Sequence, residues 1–455
     1  MLDQSFSERL STFAIQLNDK GVPTDVLHEA KRLLLNQLKA SVGATQTETI
    51  ALLKKATEKS ESKKNIAHIL WSGEKVTPES AALVNGALFE VLDFHDTYIP
   101  CFMHATSAIL PAVLALGEAQ KKPGIEILKS LAIGIEVELA VASILMPTAY
   151  FRGYVPAGLT GGVGAAVSCG ILRNLNHKEM TNAIGVAMCS AFGLYVSVGS
   201  MTLSYITGAT AQSGMKAAEL AELGFDAPRT AFEGDKGMLL THSDEKREKI
   251  EDIYNTLGKE WRIHGQTYKT VPTETITHGP IELVLGVLKI KENKTVSHME
   301  FYVSPIVKSI VDERLERFGV PSSELTARFD LCFCVAAAWY NGKFTIEEMQ
   351  KPSYTNTHIL ALRNKIKLIA DEKRLTFEGC SLIVYFTDGS SEKNNVDAFL
   401  GSPKNSMTDS QLSELFRETA QPYLKDKHIS DILDSLWNLE KSPQINEIIN
   451  LLKIH

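Results

Sequence analysis

The chain has 455 residues, of which 44 % are hydrophobic and 22 % are charged, so it can build a large core and more than one domain. Its formal net charge of −7 leaves no basic surplus to neutralise phosphates, which argues against a general nucleic-acid-binding protein. Its six scattered cysteines form no CxxC pair, a pattern typical of buried free thiols in a reducing compartment rather than of a zinc ribbon or a thioredoxin motif.

The N-terminal segment and the longest apolar run bear on location. The chain begins MLDQSFSERLSTF, with early acidic residues and no apolar signal core, so we expect no secretory signal and a cytoplasmic location. The longest apolar run, LAIGIEVELAVASILM, contains Glu136 and Glu138. Carboxylates are costly at the centre of a bilayer, so this run predicts a buried or interface helix and no membrane partner.

The first half of the chain has the pattern of consecutive helices. The segment VLHEAKRLLLNQLKASVGA repeats apolar residues at helical spacing. Thr77 and Pro78 suit the N-cap and first position of a helix that we expect to run to about Phe94. The next helical segments are rich in alanine and glycine, which indicates closely packed backbones. We expect no strand before about residue 295.

The pattern changes near Tyr268. The segment SHMEFYVSP, from Ser297, and the segment Leu382–Thr387 predict strands, and LTARFDLCFCVAAAWYNGKF between them predicts a buried helix. Polar-faced helices return from Met407 onwards. The predicted fold class is therefore mainly α, with three parts: a large helical domain over 1–267, a smaller α/β domain over 268–400, and C-terminal helices over 401–455 that return to the helical domain.

Two motifs that suggest a cofactor fail in their context. The glycine-rich segment GLTGGVGAA (158–166) follows no predicted strand, whereas a dinucleotide fingerprint needs a strand, a tight turn and a helix. The pair Cys332 and Cys334 lies in an apolar helical run with no second pair. We therefore expect close helix packing at the glycines, and no metal or organic cofactor.

A short titratable stretch, LDFHDTYIPCFMHATSA (92–108), follows a mostly apolar helix. Steps of four, three and four residues back from Asp93 reach Phe89, Gly86 and Ala82, which would share one non-polar helix face. Asp93 is therefore predicted to continue this inward-facing stripe and to be more desolvated than Asp96. A desolvated carboxylate has a raised pKa and can accept a proton near neutral pH. The alternative is that both aspartates hydrogen-bond the backbone of the following loop and do no chemistry.

His104 precedes the next predicted helix. A lone histidine there is more often structural than catalytic, but a loop that reverses direction after Asp93 favours a shared cleft. A metal hydrolase that uses His95, Asp96 and His104 is an alternative. It would need further ligands at helical spacing, and the sequence shows none.

The resemblance to one family extends through most of the chain. The family signature, close to D-F-D-D-T…H-P…V-I-P-A-x-L-A, is similar to DFHDTYIPCFMHATSAILPAVLALGEA. Later family segments are similar, in order, to GLTGGVGAAVSCGILRNLNHKEMTNAIGVAMCSAFGL, ATAQSGMKAAELAELGFDAPRTAFEGDKG, YKTVPTETITHGPIE and TARFDLCFCVAAAWYNGKF. On these segments the chain resembles the MmgE/PrpD family, which includes 2-methylcitrate dehydratase, cis-aconitate decarboxylase and iminodisuccinate epimerase.

The resemblance implies a large all-helical domain with a smaller α/β lid, a homodimer, and an enzyme that needs no metal or cofactor. We expect the dimer to form through the alanine- and glycine-rich helices. Its substrate would be a small carboxylic acid, and the chemistry a proton transfer next to a carboxylate. Asp93 is implied to be the base, while His104 and Lys269 hold the developing negative charge. The remaining positions are implied to bind substrate: Asp96, Thr97, Thr202, Tyr205 and His278.

Several positions depart from the family pattern. His95 stands where an aspartate is usual, and three family residues are replaced: a histidine by Val155, a lysine by Leu203 and a tyrosine by Phe333. These replacements predict a less cationic and more apolar pocket. The favoured function is a lyase, either a dehydratase or a decarboxylase. One alternative is an isomerase or epimerase acting on a less charged substrate, and another is a non-catalytic relative.

Overall fold

A computed structural model describes residues 4–57, 66–291 and 294–454. The chain forms two compact units, a mainly helical one and a smaller one with a mixed sheet, which confirms the predicted fold class. Among the described residues, no helix combines the length and the apolar character that crossing a bilayer demands. The first unit comprises Met1–Val91, His95–Gln266 and Thr408–His455, and the second comprises Leu92–Phe94 and Thr267–Met407.

The first unit begins with twelve described helices and a small hairpin. The strands β1 (Ala67–His68) and β2 (Lys75–Val76) pair in antiparallel fashion, so the expectation of no strand before residue 295 is wrong. Two-residue strands are too short to show an alternating pattern. The helices are α1 (Phe6–Lys20), α2 (Thr24–Val42), α3 (Glu48–Thr57), α4 (Pro78–Glu90), α5 (Ala105–Gln120), α6 (Gly124–Leu145), α7 (Thr148–Phe151), α8 (Pro156–Leu172), α9 (His177–Cys189), α10 (Met201–Glu222), α11 (Met238–His242) and α12 (Glu248–Tyr254).

The second unit contains the mixed sheet. Its strand order is β4-β3-β5-β6, with β3 parallel to β4 and antiparallel to β5, and the strands predicted near Ser297 and Leu382 are confirmed. The elements are α13 (His278–Lys291), β3 (Val296–Val303), α14 (Pro305–Phe318), α15 (Glu324–Ala327), α16 (Leu331–Asn341), α17 (Lys351–Tyr354), α18 (Thr357–Arg363), β4 (Ile366–Ala370), β5 (Cys380–Phe386) and β6 (Ser391–Val396).

One face of this sheet and the helix α16 supply the core of the second unit. Alternate residues of β5, including Leu382 and Val384, are fully buried, as a strand with one covered face requires. Phe301 of β3 belongs to the same core. The predicted polar-faced helices after Met407 are confirmed as α19 (Asp409–Ala420) and α20 (Asp426–Trp437), and α21 (Asn446–Ile449) follows them in the first unit.

Helix α4 positions the titratable stretch. Its predicted start is confirmed, because Pro78 is the first residue and the Thr77 hydroxyl accepts a hydrogen bond from Ser80 N at 3.3 Å. Its predicted end near Phe94 is wrong, because the helix stops at Glu90. Asp93 has a φ of 49°, in the left-handed region, so the backbone leaves the helix and Asp93 does not continue the apolar stripe.

Small residues let the helices of the first unit approach closely, as predicted. GLTGGVGAA lies within α8, not in a nucleotide loop. At the crossing of α4 and α10, a Cβ added to Gly208 would lie 2.0 Å from the carbonyl oxygen of Leu83, and one added to Gly86 would lie 2.6 Å from Gly208 Cα. These small-residue faces therefore pack within one chain.

We predict that Gly208→Ala destabilises the protein, because the added methyl must push α10 away from the α4 backbone. Overpacking of this kind costs about 1–3 kcal/mol in the free energy of unfolding. The matched control is Gly162→Ala in α8, where the nearest heavy atom would be 3.9 Å away. Urea unfolding of both variants would test the prediction, and equal stability of the two would contradict it.

Candidate active site

The loop that follows α4 reverses the chain and delivers His104 to the start of α5. The backbones of Tyr98 and Met103 pair, with N–H···O distances of 2.7 and 3.2 Å, around the short 3₁₀ helix Ile99–Cys101. Phe102 completes the turn with a φ of 53°. The predicted reversal of direction is therefore present, and it places His104 beside the backbone of Asp96.

Asp96 anchors this loop to the helical core of the first unit. Its carboxylate oxygens accept hydrogen bonds from Gln37 Nε2 of α2 at 2.6 Å and from the Thr106 hydroxyl of α5 at 2.9 Å. The residue has no exposed surface, and desolvation raises its pKa against the opposing effect of these hydrogen bonds. The prediction that Asp93 is the more desolvated aspartate is thus wrong, because Asp93 keeps 6 % of its surface exposed.

This environment also bears on the metal alternative. Both carboxylate oxygens of Asp96 accept hydrogen bonds from the protein, so Asp96 is not free to be the carboxylate ligand in that alternative. The sequence gave only a weak indication of the role of Gln37, because Gln37 is a single polar residue on a predicted apolar helix face. Gln37 and Thr106 were both missed from the sequence.

His104 is held in one tautomer. Its Nδ1 atom lies 2.9 Å from the carbonyl oxygen of Asp96 and 3.3 Å from the hydroxyl of Thr97. A carbonyl oxygen can only accept, so Nδ1 carries the proton and donates it there. The basic nitrogen of a neutral His104 is therefore Nε2. The structure thus brings together three of the predicted residues, Asp96, Thr97 and His104.

In the second unit, Lys269 binds both the backbone and the side chain of Asp93. Its ammonium donates to the Asp93 carbonyl oxygen at 2.9 Å and forms an ion pair with the Asp93 carboxylate. The two side chains are 1 % and 8 % exposed. The segment before Lys269 is fixed by Tyr268 N, which donates to Gly401 O at 2.7 Å. Gly401 needs to be glycine there, because its φ is 97° and a Cβ would lie 1.9 Å from Tyr268 O.

Glu274, whose pKa responds to the charges of Asp93 and Lys269, forms an ion pair with Arg314, and both residues were missed from the sequence. Arg314 donates to Glu274 Oε1 at 2.7 Å, and its side chain is 3 % exposed. Burial raises the pKa of Glu274 to about 7, an effect that Arg314 opposes and the Asp93 charge reinforces. Glu274 lies between Lys269 and His278 in the segment YKTVPTETITHGPIE, so its position could have indicated a place near the site. The sequence gave no such indication for Arg314, which resembles any other charged residue on a polar helix face.

His278 opens α13, immediately after the 3₁₀ helix Thr275–Thr277. Its Nδ1 atom lies 3.3 Å from the carbonyl oxygen of Glu274, and its ring centroid is 5.3 Å from that of Phe399. The residue is 2 % exposed. His278 thus belongs to the second unit, in contact with the backbone of the residue that carries the raised pKa.

The other predicted positions lie in different environments. Thr202 and Tyr205 occupy the exposed first turns of α10, and Tyr205 is 47 % exposed. Val155 is the nearly buried N-cap of α8, and its N–H donates to Gly193 O at 3.1 Å. Phe333 has no exposed surface and belongs to the core of the second unit, so it acts there as a packing residue.

The architecture and these side chains define a class of protein: a two-unit, mainly helical enzyme with buried carboxylate, imidazole and ammonium groups. Family models identify the family within that class. The MmgE/PrpD N-terminal domain matches residues 8–251, and the MmgE/PrpD C-terminal domain matches residues 271–439. The chain belongs to the MmgE/PrpD family.

Curated relatives match the chain over its whole length. Human cis-aconitate decarboxylase is 24 % identical over 469 residues, which cover 100 % of this chain and 95 % of the relative. The mouse cis-aconitate decarboxylase is 22 % identical, with 100 % and 94 % covered. The cis-aconitate decarboxylase-like protein oryM of Aspergillus oryzae is 22 % identical, with 97 % and 96 % covered.

We predict that Glu274 makes stability depend on pH. Its pKa is about 7 in the folded chain against an ordinary value of 4.5, so its contribution is fully present below pH 4.5 and is lost as pH rises to about 7. One such group contributes a slope of at most about 1.4 kcal/mol per pH unit. Glu274→Gln removes the titrating group, so the difference in the free energy of unfolding between parent and variant should change with pH across this range.

Urea unfolding of parent and variant at several pH values between 4 and 8 would measure that difference. Glu372→Gln is the matched control, because its side chain is exposed in the same unit and should leave the profile unchanged. A difference between parent and Glu274→Gln that is independent of pH would contradict the prediction.

Proposed function

We propose that this chain is a lyase, a decarboxylase or dehydratase, that transfers a proton next to a carboxylate of a small organic acid. It would need no metal or organic cofactor. The observation that carries the proposal is the buried ion pair of Asp93 and Lys269. Burying two charges costs more than an apolar core of the same volume, so such pairs are often retained for function rather than for stability.

In the proposed chemistry, Asp93 is the proton acceptor. Its carboxylate removes the proton from the carbon next to a substrate carboxylate, while Lys269 and His104 stabilise the negative charge that moves onto oxygen. In a decarboxylation no substrate proton is removed: the carbon–carbon bond breaks, CO₂ leaves, and Asp93 passes a proton taken up from water to the carbon that carries the remaining electron pair. In a dehydration, an acid must also protonate the departing hydroxyl group, and His104, Thr202 or Tyr205 would have to serve.

An isomerase or epimerase of the same family is the second candidate. Val155 and Leu203 stand where the family resemblance implies a histidine and a lysine, and neither replacement can bind an anion or transfer a proton. An epimerase needs fewer charged contacts and no acid for a leaving group. A substrate with fewer carboxylates than cis-aconitate, the compound named in the curated relatives, fits these replacements.

The discriminating experiment is incubation with a panel of small mono-, di- and tricarboxylic acids in deuterated buffer, followed by NMR. A lyase yields a new product with deuterium on carbon. An epimerase exchanges the proton, and inverts the centre, without loss of CO₂ or water. Neither exchange nor product across the panel would favour the third possibility, a non-catalytic relative.

We predict that Asp93→Asn lowers turnover of the identified substrate by about a hundred- to ten-thousand-fold, because the amide cannot accept the proton. Asp96→Asn is the comparison variant and should lose less, because the Asp96 carboxylate is held by Gln37 and Thr106 rather than placed to accept a proton from substrate. Circular dichroism would show that both fold. Turnover by Asp93→Asn within a few-fold of the parent would exclude Asp93 as the base.

We also propose a homodimer and a cytoplasmic, reducing location. The latter is supported by free cysteines, among them the exposed Cys189. The dimer is supported by large apolar side chains exposed on the first unit near the starts of α8 and α10, a feature typical of interfaces. They are Phe151 (60 % exposed), Leu194 (60 %) and Val196 (70 %).

We predict that Val196→Asp weakens the dimer, because a charge replaces apolar surface that a second copy would cover. Light scattering at micromolar concentration would detect a shift toward the monomer. Leu52→Asp, at a residue 52 % exposed on α3, is the control and should leave the mass unchanged. A monomeric parent protein would contradict the proposed dimer.

A further inference from the structure

A cleft in the first unit lies outside the candidate active site. It is formed by the start of α1, the segment 229–234 and the start of α12, and its volume is about 790 Å³. Ligand clefts in proteins have volumes of about 300–1,000 Å³, so this cleft can hold a small organic molecule together with water. Of its described lining residues, none belongs to the candidate active site.

Glu233 is the buried carboxylate of this cleft. It lies in the segment TAFEGDKG, for which the proposed function has no use. Only 9 % of its surface is exposed. Its Oε1 atom accepts a long hydrogen bond, 3.4 Å, from Phe6 N, whereas its Oε2 atom accepts none from the described residues. A buried carboxylate is costly unless a cation or several hydrogen bonds compensate it, so Glu233 favours a ligand with a positive group.

Ion pairs compensate several other charged groups around the cleft. Arg9 holds Glu251 through two N–H···O contacts of 2.5 and 2.9 Å, and Arg229 forms an ion pair with Glu8. Glu248, the exposed first residue of α12, forms no ion pair with a described residue. The cleft therefore keeps two carboxylates without a cation, the buried one and Glu248.

Arg247 supplies a positive group that is only loosely held. Its side chain is 58 % exposed, and its Nη2 atom lies 3.5 Å from Oδ1 of Asp235, whose side chain is fully exposed. Exposed ion pairs contribute little to stability, so the guanidinium group can exchange Asp235 for a ligand at small cost. The planar guanidinium group is well suited to binding a carboxylate.

An inorganic anion and a metal ion both fit this cleft poorly. The N-terminus of α1 would attract an anion, but the Glu233 carboxylate already lies there, within hydrogen-bonding distance of Phe6 N. A metal ion needs several converging oxygen ligands. Among the described residues, no three carboxylates of the cleft lie within 4.8 Å of one another.

We propose that this cleft is a binding site for a basic amino acid. Arg247 and Glu248 are consecutive residues, and they pair with the carboxylate and the α-ammonium group of the ligand. The side-chain ammonium group reaches Glu233. The ligand thus brings two positive groups and one negative group to a cleft that offers the opposite set. The inference goes beyond the proposed function, because it assigns a second ligand to a surface that takes no part in the lyase chemistry.

The test is isothermal titration calorimetry of the intact protein at low ionic strength, where ion pairs are least screened. The probes are lysine, cadaverine, which lacks the carboxylate, and norleucine, which lacks the side-chain ammonium group. We expect saturable binding of one lysine per chain, and about tenfold weaker binding of each of the other two compounds. No saturable binding of lysine would overturn the proposal, and so would cadaverine or norleucine binding as tightly as lysine.

Variants assign the contacts. Glu233→Gln keeps an oxygen for Phe6 N but removes the charge, so lysine should bind about tenfold more weakly while norleucine binding stays unchanged. If that variant does not fold, Arg247→Gln, at an exposed residue, should weaken lysine binding to the level of cadaverine and leave cadaverine binding unchanged. The control is Asp252→Asn, an equal change of charge at an exposed residue of α12 outside the cleft.

Circular dichroism would show which variants fold. Unchanged lysine binding in a folded Glu233→Gln or Arg247→Gln protein would overturn the proposal, as would an equal loss in Asp252→Asn. Binding is measured without turnover, so this outcome does not depend on whether any acid in the panel reacts. Failure of the proposed function would leave the cleft assignment standing, and the reverse also holds.

Discussion

The ion pair between Lys269 and Asp93 is the constraint on which the candidate site depends. One ammonium group binds both the carbonyl oxygen and the carboxylate of Asp93, so it fixes the backbone and the side chain of a left-handed turn together. Because α4 ends at Glu90, residues 92–94 leave the helical unit and group with the second one. Loss of either partner would leave a buried charge uncompensated, which is far more costly than loss of an exposed pair.

The two aspartates of the signature show how environment separates two chemically identical groups. Asp96 has no exposed surface, and its two carboxylate oxygens accept hydrogen bonds from Gln37 and Thr106. Its carboxyl group therefore holds the loop in place. Asp93 is instead compensated by a cation. Burial raises the pKa of Asp96, whereas Asp93 is paired with the Lys269 ammonium group, and titratable groups in such contrasting environments are the pattern from which acid and base roles are assigned in enzymes.

Close packing and titratable chemistry occupy different parts of the first unit. Glycines such as Gly86 and Gly208 let α4 and α10 approach closely along their backbones. Glu90, the last residue of α4, and His95 are buried, whereas His104 is partly exposed. The departures at positions 95, 155 and 203 replace residues that the family resemblance implies to be ionisable, so under the proposed function they would alter what the site binds.

The sequence by itself determined the class of fold, the start of α4 at Pro78, the strands β3 and β5, and the family, because periodicity, capping and motif order are properties of neighbouring residues. Only the tertiary structure decided where α4 ends. No glycine or proline marks that point, and Asp93 is held in its turn by Lys269, 176 residues further along the chain. The burial of Asp96 and the raised pKa of Glu274 were equally beyond the sequence, since desolvation is set by residues that are distant in the chain and close in space.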